Sequence, residues 1–160
     1  MKTVLFAAAA LAAISMSGAA SAQTFTSAPG QWSLQGQLQM GSGITVQCNV
    51  DLTLQVNAAG NGQITSATIA PGHPVCATVL LSGFGWPALV TSSSSAGGMI
   101  DVTGFTSSIP PCNGTLSGIV IDGPNQDAKF DMVYFPGGGC FVDGTLNITP
   151  ISPTTMPLQP

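Results

Sequence analysis

A chain of 160 residues with two lysines, no arginine or glutamate, six aspartates and a formal net charge of −4 is long enough to bury one core but not two. It has no basic patch with which to neutralise phosphates, which argues against nucleic acid or an anionic membrane surface as partner. With charged residues at only 5 %, its polar surface must come from Ser, Thr, Gln, Asn and backbone, which repel neighbouring copies and apolar interfaces weakly and suit assembly or adsorption.

The chain begins like an export signal. Lys2 supplies a short positive region, residues 4–14 are apolar, and Ala20-Ser21-Ala22 is a small-residue cleavage site before Gln23. The apolar stretch is shorter than the ~20 residues a spanning helix needs, so residues 1–22 are expected to be removed and no membrane span to remain. Removal takes Lys2 with it and leaves Lys129 as the one basic side chain. In an exported chain Cys48, Cys76, Cys112 and Cys140 default to disulfides, and four cysteines allow three pairings.

After residues 23–30, read as a flexible arm, the first clear strand is 31–40. Trp32, Leu34, Leu38 and Met40 fall on one face with Gly36, and Gln31, Ser33, Gln35, Gln37 and Gln39 on the other. The pattern is longer in 44–57, where Ile44, Val46, Cys48, Val50, Leu52, Leu54 and Val56 alternate with polar residues. Ala59-Gly60-Asn61-Gly62 tolerates positive φ and predicts a reversal into a strand at 64–69. Further strands are predicted at 77–81, 88–92, 100–105, 114–122, 128–135 and 140–149. In 128–135, Ala128, Phe130, Met132 and Tyr134 are assigned the inner face and Val133 the outer one. Breakers at 71–72, 92–98, 110–111, 123–125 and 136–139 give the close spacing of a sandwich or barrel. The expectation is an all-β, antiparallel sandwich or barrel of about nine strands, a single domain over 23–149. It would be followed by a Pro-rich tail, 150–160, extended or disordered.

Cys48 to Cys76 and Cys112 to Cys140 are both 28 positions apart, and each interval begins Cys-Asn. Aligned without gaps, Leu52, Val56 and Asn61 match Leu116, Val120 and Asn125. If this weak repeat is structural, the simplest connectivity is Cys48–Cys76 and Cys112–Cys140, each closing one hairpin unit.

Catalysis finds little support. His73 is the lone histidine and sits in a Pro-Gly-His-Pro loop, where a solvated turn residue is expected in preference to the base of a nucleophile. There is no Gly-x-Ser-x-Gly elbow, and the aspartates fall on outward faces or in turns. No Cys or His pair has the spacing of a zinc site. No catalytic residue, metal site or cofactor is therefore expected. Phe84-Gly85-Trp86-Pro87 is an apolar segment bounded by glycine and proline, so Phe84 and Trp86 are candidates for an apolar contact loop; the competing reading has Trp86 plugging the core.

Several of these features occur together: Ile44-Thr-Val-Gln-Cys48, Val75-Cys76, Trp86-Pro87, Cys112-Asn-Gly-Thr115 and Gly139-Cys140-Phe-Val-Asp-Gly-Thr-Leu146. Over residues 44–149 this arrangement resembles the bacterial family of protein activators of alkane oxidation, departing from it where Gly85-Trp86-Pro87 stands in place of Leu-Pro-Trp. The resemblance implies a secreted accessory protein that aids growth on long-chain alkanes by dispersing the hydrocarbon, not by oxidising it. The expected partner is then a hydrocarbon or other apolar interface, with a second copy of the chain (self-association) as a further candidate. The competing class is a cell-surface or matrix fibre subunit, built by strand addition onto the edge of 31–40.

Overall fold

The computed structural model describes residues 23–70, 74–108, 110–137, 139–151 and 157–160; the expected leader 1–22 and His73 lie outside the described residues. Eight strands are formed: β1 (Gly30–Gly41), β2 (Thr45–Val56), β3 (Gly62–Ala70), β4 (Trp86–Ser94), β5 (Gly97–Ser108), β6 (Pro111–Asp122), β7 (Asp127–Tyr134) and β8 (Phe141–Ile151). Each pairs antiparallel with the next, and β8 pairs with β1, so the sheet closes into a barrel.

The alternation in β1 and β2 explains the closure. Every second residue is apolar and all of these point inward, so the sheet buries one continuous face by curling onto itself. β1 is paired along nearly its whole length with both β2 and β8. Gly36 makes the approach of β8 possible, since a Cβ there would sit 2.3 Å from the Thr145 carbonyl oxygen. Eight strands enclose a lumen just wide enough for side chains to fill. Leu34, Leu54, Ile100, Ile119 and Phe130 are among those that line it, leaving a cavity of about 30 Å³. That is room for a water molecule or so, not for a hydrocarbon chain.

Two seams are short. β3 meets β4 only from Gly62↔Ala88 to Ile64↔Trp86, and β6 meets β7 only from Val120↔Lys129 to Asp122↔Asp127. Both disulfides lie at the barrel end where those seams part. Cys48 joins Cys76 and Cys112 joins Cys140, each across 28 positions, with Cα–Cα distances of 5.6 and 5.9 Å. In both, the sulfur of the second cysteine lies close to the carbonyl oxygen before the first: Cys76 Sγ is 3.1 Å from Gln47 O, and Cys140 Sγ 3.5 Å from Pro111 O. The two halves of the weak repeat are thus closed by the same kind of cross-link.

Several expectations are corrected. Residues 77–81 are not a ninth strand. Pro74–Thr78 forms a 3₁₀ turn, closed by the Thr78 hydroxyl donating to Val75 O at 2.7 Å, which puts Cys76 and Val79, three apart, inside and leaves Leu80 outside. The chain then runs beside the end of β5, with Ser82 N donating to Thr106 O and Ser108 N to Leu80 O. In β7 the register shifts between Phe130 and Val133. Met132 takes φ 46° there and its amide donates to Asp143 Oδ1. The bulge turns Val133 inward and Met132 and Tyr134 outward. Ile44 sits in the β1–β2 turn, beyond the ladder, and is 75 % exposed. β4 and β5 continue through most of the expected 92–98 breaker, because serine and glycine are compatible with an exposed hairpin end.

Neither chain flank is loose where it is described. Gln23 bridges Val90, and Phe25 N donates to Gly60 O at 2.9 Å. The Phe25 ring lies on Gly62, where an added Cβ would come within 2.4 Å of it. Residues 152–156 of the expected tail lie outside the described residues, but Leu158 is fully buried in the core. Burying side chains of this size contributes roughly 1.5–3 kcal/mol each, enough to dock both segments. They plug the barrel end opposite the disulfides.

In the chain-entropy treatment a loop of this length contributes about 3–4 kcal/mol through restriction of the unfolded chain. Replacing Cys112 and Cys140 together by serine is expected to lower the free energy of unfolding by about that much. Urea denaturation checks it, and an unchanged midpoint would show that the bridge does not brace the seam.

Candidate functional site: an apolar flank opposite an amide wall

The outer surface is sorted by strand. On β1 the outward residues are Gln31, Ser33, Gln35, Gln37 and Gln39. Opposite them across the ladders stand Gln55, Thr53, Asp51, Asn49 and Gln47 of β2, and Ile151, Thr149, Asn147, Thr145 and Asp143 of β8, of which only the half-buried Ile151, at the strand end, is apolar. These side chains bond across strands: Ser33 Oγ and Gln35 Nε2 donate to the two oxygens of Asp51, both at 2.8 Å, and Gln47 Nε2 donates to Gln37 Oε1 at 3.0 Å. No large hydrophobic side chain is exposed on β1, β2, β3 or β8.

The opposite flank differs. Leu89 on β4, Met99 on β5 and Val120 on β6 all point outward, with exposures of 53, 41 and 40 %. Met99 and Val120 are direct cross-strand partners, and Leu89 faces Asp101, two residues along β5. β5 is the fourth strand round from β1 in a ring of eight, so the apolar flank and the amide wall are diametrically opposed.

The disulfide-braced end carries a second group of exposed apolar residues, apart from Met99 and Val120, which lie towards the β4–β5 and β6–β7 turns of the plugged end. Ile44, Leu80 (65 % exposed) and Tyr134 (59 %) project from its loops and strand ends, and Met132 lies close behind on β7. Gly41 to Thr45, Pro74 to Gly85, Ser107 to Asn113 and Tyr134 to Phe141 contain no Asp, Glu, Lys or Arg. Behind this rim an aromatic row runs inward: Phe84 to Trp86 at 5.0 Å between ring centroids, Trp86 to Phe105 at 5.0 Å, Phe105 to Phe135 at 5.3 Å. Such tilted pairs stiffen the end beyond what area burial alone supplies.

Of the two contact candidates, only Phe84 reaches solvent. Trp86 opens β4, is 2 % exposed, and its indole Nε1 donates to Ser82 O at 3.1 Å; a large ring with its one polar atom satisfied belongs to the core, and its role as an exposed contact is corrected accordingly. The four cysteines are all buried and all bridged. Sequence reasoning missed Leu89, Met99 and Val120. Their signal was the failure of alternation: 88–90, 99–100 and 119–121 are unbroken apolar runs, and a strand with one buried face needs an apolar residue only at every second position.

The plugged end carries an ion pair. Lys129 Nζ lies 2.7 Å from Asp122 Oδ2. Hydrogen bonds from Lys129, then from the side chain and amide of Asn125, hold the Asp122 carboxyl at about 2 against an ordinary 3.8. The same contact raises Lys129. Among the described residues no helix is long and apolar enough to cross a membrane. The barrel has its apolar residues inside and a largely polar exterior, the reverse of a membrane-spanning porin.

A family model described as alkane oxidation protein activator, PraA/PraB-like, matches residues 1–156. No curated protein and no solved structure shows significant similarity to the chain.

Because the folded Asp122 value lies below the unfolded one, its contribution to stability is complete above about pH 4 and is lost as the pH falls towards about 2. Lys129, being raised, loses its contribution only at alkaline pH above its ordinary 10.5. Thermal unfolding is therefore expected to be insensitive to this pair between about pH 5 and 9. Below about pH 4 the midpoint should fall less steeply in Asp122→Asn than in the parent. Identical acid limbs would remove the pair from the pH response.

Proposed function

The chain belongs to the alkane oxidation protein activators, PraA/PraB-like, and we propose that it serves alkane oxidation from outside the cell as a non-catalytic amphiphile that disperses long-chain hydrocarbon for uptake. The observation that carries this reading is the partition of the barrel's outer surface: amide and hydroxyl side chains on β8, β1 and β2, apolar ones on β4, β5, β6 and the braced end.

A rigid body divided in this way has a preferred orientation at an oil–water boundary. Leu89, Met99, Val120, Ile44, Leu80 and Tyr134 would enter the oil, each half-exposed side chain contributing about 1 kcal/mol, while the amide wall stays hydrated. The loops of the rim hold no ion to desolvate, which lowers the opposing cost, while Asp143 and the exposed Asp131 close behind it keep that level hydrated. Asp101 and Lys129 border the flank, and their hydrated heads set how deep the protein rides. The disulfides brace the end that faces oil, so the protein adsorbs folded and its core remains closed. With a cavity of about 30 Å³ the lumen is not where an alkane would be carried; the proposal places hydrocarbon on the outside. Disulfides are compatible with an exported protein, in keeping with action at the cell surface or beyond it.

The fibre reading by strand addition loses its physical basis at β1, which is hydrogen-bonded on both sides and offers no free edge.

Purified protein is expected to lower dynamic interfacial tension at a hexadecane–water boundary. The variant Leu89→Ser/Met99→Ser/Val120→Ser should adsorb several-fold less while unfolding at nearly the same temperature, because the three side chains are surface ones. Parent protein that leaves the tension unchanged, or a triple variant as active as the parent, would falsify the amphiphile mechanism.

A further inference from the structure

At the plugged end, residues 157–160 are held as a receptor holds a short peptide. Leu158 is the anchor, 0 % exposed within the core. Its amide donates to Gln126 Oε1 at 2.9 Å and its carbonyl accepts from Gln126 Nε2 at 3.3 Å. One primary amide thus reads both backbone groups of one residue, as a neighbouring strand would. From the other side the amides of Thr26 and Ser27 donate to Gln159 O at 3.0 and 3.4 Å.

The reader is preorganised. Gln126 is held at φ 53°, a conformation that non-glycine residues adopt only where the surroundings impose it. Its carbonyl accepts from Ile148 N at 2.7 Å, and its Nε2 also donates to Gly123 O. The adjoining Ser27 Oγ is buried with no hydrogen-bond partner among the described residues, so the socket holds one polar atom more than the bound segment uses. The segment's side chains carry no charge. Its recognition rests on backbone hydrogen bonds and one apolar side chain, the mode by which extended peptides add to protein surfaces.

These contacts are non-covalent and lie outside the barrel ladder, and in sequence five residues, 152–156, separate the segment from β8. A second copy of the chain presents the same segment and the same socket. We infer that this end is a peptide-recognition socket for an extended segment with uncharged side chains and a single leucine anchor, and that its partner in assembly is residues 157–160 of a second copy, exchanged reciprocally. Every contact that residues 157–160 make within one chain is available between two, so exchange is opposed by the entropy of association and not by any lost contact of that segment. Crowding of the protein, as in an adsorbed film, offsets that entropy by raising the local concentration. The inference does not depend on surface activity, and it provides a route to self-association that leaves β1 paired.

The test uses the full chain. Light scattering after size exclusion should show a dimer fraction that rises with protein concentration. Excess peptide Met-Pro-Leu-Gln-Pro should return the dimer to monomer, whereas the same peptide with serine for leucine should not. Leu158→Ser should abolish the dimer; if that variant does not fold, the peptide competition on the parent protein decides alone. A parent protein that stays monomeric at its highest soluble concentration overturns the proposal, as does a dimer that the leucine peptide fails to dissolve.

Discussion

The hydrogen-bonded closure of β8 onto β1 is the constraint from which the rest follows. An open sheet with this alternation would leave two edges and a bare apolar face. Closed, it has one inside and one outside, and every side chain is assigned to one or the other by its position on the pleat. The inside is filled by aliphatic and aromatic residues to near completion. The outside is then free to vary around the ring without touching the core, and here it varies from amide to apolar over half a turn.

The barrel's two ends divide the remaining work. One is stopped by Phe25 and Leu158 and carries the Asp122–Lys129 pair. The other is where the β3–β4 and β6–β7 seams part, and cross-linking takes over there from strand pairing. An end whose loops carry no charge and expose Ile44, Leu80 and Tyr134 would be a weak point if it were held only by backbone pairing. With both disulfides and the Phe84–Trp86–Phe105–Phe135 row behind it, the end that is least protected by solvation is mechanically the best tied.

What was legible in the sequence was whatever obeys a period of two. β1 and β2 could be read with their faces because fully regular strands repeat that way, and the 28-residue spacing located both units that the disulfides close. Where the backbone departs from regularity the reading failed, for separable reasons. Val79 and Leu80 have strand composition, but the 3₁₀ turn before them is set by Pro74 and the tether at Cys76. Met132 and Val133 exchange faces at a bulge whose cause, the Asp143 carboxylate receiving the Met132 amide, is distant in sequence. Leu158 sits between prolines in a stretch that composition marks as loose, and only the tertiary clamp of Gln126 makes it a core residue. The flank of Leu89, Met99 and Val120 was hidden differently: each lies within an apolar run, where the outward member cannot be told from its buried neighbours without the pairing.

The strand order also bears on how the chain reaches this state. Each of β1 to β8 pairs with its successor, so seven of the eight ladders are hairpins between consecutive strands, whose closure entropy is modest. The eighth, β1 with β8, joins opposite ends of the domain, and the docking of Phe25 and Leu158 depends on the same long-range approach. Folding of such a meander is limited less by finding partners than by one late ring closure. Until it occurs, β1 and β8 each have an unpaired edge. The molecule is therefore most prone to associate with its neighbours in the interval before closure, and that interval can end only because the glycine at position 36 lets β8 seat against β1.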